Sequence, residues 1–196
     1  MKIGIITFLD PKATPEKQKA LEDEIEKSIG KIFLDKLEFI SLSIEHDRPS
    51  LRAALIRLCD GEKCPLVLTA GGNGPTANDF TPDVTLENVD RKLPGFGEIM
   101  RYYSYERFKV SVLSRAEAGV RGKSLVINMP AKPKPMAFCL RLLQEGIVEA
   151  LEQISGIVPK LRGDEIEVPI DKYLPFLKKL RPKLDPAGPK HPYIGG

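Results

Sequence analysis

Between Leu66 and Thr85 the chain reads LVLTAGGNGPTANDFTPDVT, and no other stretch restricts the possible folds as much. Leu66, Val67 and Leu68 form a short apolar run of the kind that makes a buried strand. Thr69 and Ala70 lead into Gly71, Gly72, Asn73 and Gly74, and a polar loop then reaches Thr81-Pro82-Asp83. Glycines allow positive φ and let a ligand approach main-chain amides with no Cβ in the way. Thr81 is placed to cap a helix, with Pro82 at its first position and Asp83 near the positive end of its dipole. A buried strand that runs through a glycine turn into a helix offers free amides at the strand's C-terminal end, which suits an anion such as phosphate. The spacing is neither that of a dinucleotide fingerprint nor that of a P-loop, so a plain tight turn is the competing reading. Asp79 counts against it, because a lone carboxylate in a phosphate loop makes sense when a cation such as magnesium joins it.

The flanking segments supply the rest of an α/β pattern. Lys2 to Leu9 reads as a buried strand. Pro15 to Ile29 reads as a helix capped by Thr14, with Leu21, Ile25 and Ile29 four apart and Gly30 as its stop. Leu37 to Ile44 follows as a strand, and Ser50 to Cys59 as a helix with Leu51, Leu55 and Leu58 on one face. Strand, helix, strand, helix, strand implies right-handed crossovers and a mainly parallel sheet with helices on both faces. Beyond the glycine loop, Leu86, Val89 and Leu93 mark a helix, and Phe96 to Arg107 another. Val110, Val112 and Leu113 read as a strand ending at Ser114-Arg115, and Leu125 to Met129 as the last strand. A long helix runs from about Pro135 to Ser155, with Met136, Cys139, Leu143, Ile147, Leu151 and Ile154 on its buried face.

After Gly156 the character changes. Prolines at 159, 169, 175, 182, 186, 189 and 192 forbid a long helix, leaving room only for a short one from Ile170 to Leu180. We therefore divide the chain into an α/β domain, residues 1–156, and a Pro-rich C-terminal extension, residues 157–196. The extension carries eight Lys/Arg and five Asp/Glu, which accounts for the whole net charge of +3. A neutral body argues against nucleic acid as a partner, because such proteins concentrate basic charge on one face. No apolar run approaches a membrane span, and the opening MKIGIITFLDP lacks a signal peptide's apolar core, so a cytoplasmic protein is expected. Cys59, Cys64 and Cys139 read as buried free thiols, without disulfide or zinc.

Chemistry-bearing residues gather at strand exits: Asp47 after the second strand, the glycine loop with Asp79 after the third, Ser114 and Asn128 at the later ones. Parallel neighbours would bring these onto one rim of the sheet, where open α/β proteins bind ligands. Each has a plainer alternative. Asp47 also fits a helix cap before Pro49 and Ser50, Asp79 a loop turn, and Ser114 a strand-end hydroxyl. Arg115 fits a surface charge, and Asn128 and Lys132 fit turn residues. His46 and His191 suggest no role, and no nucleophile with a partnering base is visible.

TAGGNGPTANDFTPDVT, then PGFGE (94–98), LSRAEAG (113–119) and NMPAKP (128–133), resembles the molybdopterin adenylyltransferases of molybdenum-cofactor synthesis, the MogA type, which includes the gephyrin G domain. The resemblance spans roughly residues 64 to 155. It implies a three-layer α/β fold and adenylyl transfer from ATP, with Mg2+, to the terminal phosphate of molybdopterin, in a homotrimer. Carried over by position, Asp47 and Asp79 would hold the metal or the nucleotide phosphates. Gly71, Gly72 and Gly74 would cradle phosphate, with Asn73 among them. Ser114, Asn128 and Lys132 lie in motifs that border the pterin phosphate. The chain departs from the family pattern at Asn73, where Thr is usual, at Ala77-Asn78, where a basic residue usually precedes the acid, and at Ala131, where Gly is usual. Its TFLDPKATPEK segment keeps only Asp10 of a usual Ser-Asp-Arg-Ala-Ser type stretch. An alternative within the same fold is a protein that binds molybdopterin or a partner without transferring AMP.

Overall fold

The computed structural model describes residues 1–163 of the 196-residue chain. Six strands form one sheet: β1 (Lys2–Phe8), β2 (Glu38–Ile44), β3 (Leu66–Ala70), β4 (Arg91–Lys92), β5 (Ala118–Arg121) and β6 (Ser124–Met129). Their order is β2-β1-β3-β6-β5-β4, with β2, β1, β3 and β6 mutually parallel and β5 antiparallel to both of its neighbours. Ile3 and Ile5 of β1, Leu66 and Leu68 of β3, and Leu125 and Ile127 of β6 face one helical layer. Ile6, Val67 and Val126 face the other, as the two-residue period of a strand requires.

The first layer contains α1 (Pro15–Gly30), α4 (Pro94–Arg107) and α5 (Pro133–Ser155). The second contains α2 (Arg48–Ile56) and α3 (Thr81–Asn88). Thr14 caps α1, its hydroxyl accepting from the Lys17 amide, and Ile25 and Ile29 are buried. The expected stripe of α5 is buried from Met136 to Leu151, and Gly156 closes the helix in the left-handed conformation at φ 72°. The uneven pattern of β2 has a physical cause: its hydroxyls face polar residues of α1. Ser41 donates to Glu26 at 2.8 Å, Ser43 donates to Glu22, and Gln18 reaches Thr7 and Ser43.

Three expectations need correction. The segment Lys109–Leu113 is a 3₁₀ turn rather than a strand, and Val110 and Val112 are 74% and 63% exposed. The strand in this part of the chain is β5, which forms a hairpin with β6 through Gly122 at φ 55°. Helix α3 ends at Asn88 and buries Val84, Thr85 and Asn88, while Val89 is already extended. Thr81 does not cap α3. Phe80 occupies the cap position, and the Thr81 amide instead donates to the Gly72 carbonyl at 3.1 Å.

Beyond α5, residues 157–162 return to the loop after α1. The Leu34 and Arg162 amides donate to the Lys160 and Ile32 carbonyls at 2.7 and 2.9 Å, and the Lys160 amide donates to Asp35. The expected short helix from Ile170 to Leu180 and the burial of its apolar residues lie outside the described residues.

Candidate active site

Because β1, β2, β3 and β6 are parallel, their exits share one rim, and four loops meet there. The loop after β3 is tied to β6: the Gly71 amide and the Asn73 Nδ2 both donate to the Met129 carbonyl, at 3.0 and 2.7 Å. Gly71 and Gly72 take φ of 99° and 67°, conformations that L side chains rarely adopt. A Cβ on Gly72 would stand 2.3 Å from the Thr81 hydroxyl, and one on Gly74 would stand 2.7 Å from the Asp79 Oδ2. Gly72 is therefore required by its φ as well as by a close approach, and Gly74 by the close approach alone. Ala131 is not among the described positive-φ residues, so its methyl causes no strain; it packs 3.1 Å from the place a Gly71 Cβ would take.

Asp79 folds back under this loop. Its Oδ2 accepts from the Thr76 amide at 3.1 Å and the Thr76 hydroxyl at 2.5 Å. The Thr76 hydroxyl, together with the Thr76 and Gly74 amides and the charge of His46, holds the Asp79 carboxyl below its ordinary pKa. It is thus an ionised group on the rim. Asp47 has a different setting. Its Oδ1 accepts from the Ser50 amide at 2.7 Å and its Oδ2 from the Ser50 hydroxyl at 2.9 Å, which makes it the N-cap of α2. The centre of the His46 ring lies 4.4 Å from that of Phe8 and 5.0 Å from that of Phe80.

On the other side of the glycine loop lies a cavity of about 840 Å³. Asn73, Gly74, Ser114 and Lys132 line it, together with Arg101, Lys134 and an apolar floor that includes Met100 and Leu113. Four of the expected residues therefore converge on one cavity, while Gly71, Gly72 and Asp79 form the loop behind it. Asn128 is not at the surface of the site. It is fully buried, its Nδ2 donating to the Thr69 and Thr85 hydroxyls and its Oδ1 accepting from the Glu117 amide. It orders the loops around the cavity from below.

Sequence reasoning missed Arg101 and Lys134, and weighed Arg115 only as a surface charge. Arg101 and Lys134 carried no local signal, since an arginine within a helix and a lysine between prolines look like solvent-facing charges. Arg101 in fact donates to the Ala116 carbonyl at 2.7 Å and pairs with Glu117 at 3.5 Å. Arg115 lies in the LSRAEAG motif, which was the available signal.

Among the described residues no group of three or more His, Cys, Asp and Glu could enclose a metal ion. A magnesium site here would have the form of one or two carboxylates completed by substrate phosphates and water, and ionised Asp79 fits that form. The two buried polar side-chain atoms without a hydrogen-bond partner among the described residues, Asn73 Oδ1 and Thr81 Oγ1, both belong to the glycine loop and its exit. A loop whose polar atoms are left unmatched in this way fits a ligand site better than a purely structural turn.

The fold defines an α/β protein whose candidate ligand site lies at the exits of parallel strands. The chain belongs to the molybdenum-cofactor biosynthesis family: residues 35–151 match its model, described as a probable molybdopterin binding domain. It is 35% identical over 154 residues to the molybdopterin adenylyltransferase of Helicobacter pylori, covering 79% of this chain and 88% of that one. The molybdopterin adenylyltransferase of Haemophilus influenzae is 32% identical over 179 residues, covering 85% and 91%. Among solved structures, the molybdopterin biosynthesis enzyme MoaB of Thermus thermophilus superposes with a TM-score of 0.69 at 30% identity, covering 80% of this chain and 97% of that one.

Proposed function

We propose that the protein is an enzyme of molybdenum-cofactor synthesis that transfers the adenylyl group of ATP to the terminal phosphate of molybdopterin. An oxygen of that phosphate bonds to the α-phosphorus of ATP, the bond from the α-phosphorus to its β-bridging oxygen breaks, and pyrophosphate leaves with the electron pair. The observation that carries this reading is the glycine loop itself, whose Asn73 and Gly74 line the same cavity as Ser114 and Lys132 and whose Asp79 is held by Thr76 within the loop. Two phosphate-bearing substrates held along one loop would have their reacting groups side by side.

The roles of the residues follow from their chemistry. The loop of Gly71, Gly72, Asn73 and Gly74 presents main-chain amides to phosphate oxygens without side-chain obstruction. Lys132, Lys134 and Ser114 receive the terminal phosphate of the pterin, and the apolar floor receives its ring. Asp79 would hold Mg2+, which would supply neutralisation of phosphate charge. Asp47, already the cap of α2, adds its negative charge to the same rim. Asn128 acts from below by fixing β3, β6 and α3. No covalent intermediate on the protein is required, because positioning and charge compensation supply the catalysis.

The protein acts in the cytoplasm, as a homotrimer. Among the described residues no helix is long and apolar enough to cross a membrane. Incubation with molybdopterin, ATP and magnesium, followed by mass spectrometry, tests the reading. Adenylylated molybdopterin and pyrophosphate are the expected products. Molybdopterin that binds and is recovered unchanged would overturn the reading in favour of a non-catalytic binding protein.

A further inference from the structure

The loop from Gly71 to Phe80 contains no Lys or Arg. A guanidinium from a distant part of the chain is hydrogen-bonded to it. Arg115, between the 3₁₀ turn and β5, holds the loop at two points: its amide donates to the Asn73 carbonyl at 2.7 Å, and its Nη2 donates to the Asp79 carbonyl at 3.0 Å. The same Nη2 pairs with the carboxylate of Asp83 in the first turn of α3. Both hydrogens of that nitrogen are therefore used. Asp79 in turn returns to Thr76, so that residues 73 to 79 form a ring closed by Arg115.

We propose that Arg115 is the positioning residue of this site: it staples the two ends of the loop so that the Asp79 carboxylate is presented at a fixed place beside Gly74. The proposal rests on the adenylyl-transfer reading for its catalytic consequence, though not for its structural one. Magnitudes separate it from the plain alternative of a surface ion pair. The Arg115 and Asp83 side chains are each 43% exposed, and an exposed pair of this kind adds little measurable stability. A misplacement of about 1 Å at a reacting centre, by contrast, costs up to about a hundredfold in rate. Arg115 should thus matter far more to turnover than to melting. The bond from its own amide to Asn73 survives any substitution except proline, so a variant loses only the Asp79 end of the staple.

Three variants test this: Arg115→Gln, Arg115→Lys and Asp83→Asn, with kcat, KM, melting temperature and amide exchange measured for each. Arg115→Gln is expected to lower kcat by about tenfold to a hundredfold with little change in KM for molybdopterin. Its melting temperature should fall by no more than about 2 °C, and amide exchange in residues 74–80 of the ligand-free protein should quicken. Arg115→Lys should recover part of the loss, since its ammonium can donate to both carbonyl and carboxylate as the single Nη2 does, although from a shorter side chain. Asp83→Asn should act in the same direction, and less than additively with Arg115→Gln. Unchanged exchange in residues 74–80 of Arg115→Gln would overturn the proposal. So would a rise in activity for Asp83→Asn, which would mean that Asp83 withholds the guanidinium from substrate. If the unsubstituted protein transfers no AMP, the exchange measurement still decides whether the staple exists, independently of the reaction.

Discussion

Asp79 and Asp47 occupy one rim but are held in different ways, and substitution separates them. Asn at position 79 can still offer an oxygen to the amide and hydroxyl of Thr76, so the loop should keep its shape while the site loses a charge. We expect Asp79→Asn to remove most AMP transfer with a nearly unchanged melting temperature; near-normal turnover by the folded variant would dismiss the role. The carboxyl's depressed pKa sets the sign of its pH dependence. Its contribution to loop stability is present above the ordinary carboxylate pKa and is lost as pH falls through the depressed value. For Asp47, Asn is nearly as good a helix cap, whereas Ala should cost about 0.5–2 kcal/mol. Activity lost in Asp47→Asn at unchanged stability assigns the charge to catalysis; activity retained there, with stability lost only in Asp47→Ala, leaves a cap. The cap was legible in the sequence because its partner, Ser50, is three residues away. Arg115 was not, because Asp79 and Asp83 lie 36 and 32 residues from it.

At the scale of elements, legibility followed length and locality. Helices α1 and α5 carry their caps and apolar periods within themselves, and β1, β3 and β6 are short apolar runs with nowhere to lie except inside. Strand β5 has four residues, one of them glycine, and exists because it pairs with β6 and β4. The segment Val110–Leu113 has the composition of a strand, but apolar residues mark a strand only when a sheet is there to bury them. The glycine loop was the best-read element, although Thr81 was assigned to a cap and instead packs against Gly72. That contact gives a test of the loop as a unit. Gly72→Ala meets a φ of 67° and places its Cβ 2.3 Å from the Thr81 hydroxyl. The conformation alone costs about 1–2 kcal/mol, and the clash adds to it. A lower denaturation midpoint together with loss of nucleotide binding is expected. An Ala variant with unaltered stability would show that the loop rearranges freely and does not hold a fixed cradle.

At the scale of the whole molecule, the apolar residues that the fold leaves outside bear on assembly. Ile99, Tyr102 and Tyr105 of α4 are exposed at 40%, 59% and 45%, and Phe108, Val110 and Val112 continue the surface through the 3₁₀ turn. Single exposed apolar residues are ordinary, but a continuous group along one helix and the turn after it marks a face that another surface covers. Of α4 itself only Gly97, Met100 and Ser104 are buried. A second copy of the chain is the occupant that the homotrimer reading requires. Light scattering on the eluting protein at micromolar concentration should therefore give three times the 21.8 kDa chain mass. Val112→Asp sets a charge at a position 63% exposed in the single chain. The variant should fold, as judged by circular dichroism, yet elute at a lower mass, because an unpaired carboxylate is costly to bury in an apolar contact. A monomer mass for the unsubstituted protein would refute the trimer. Trimers that survive Val112→Asp unchanged would place the contact elsewhere on the surface.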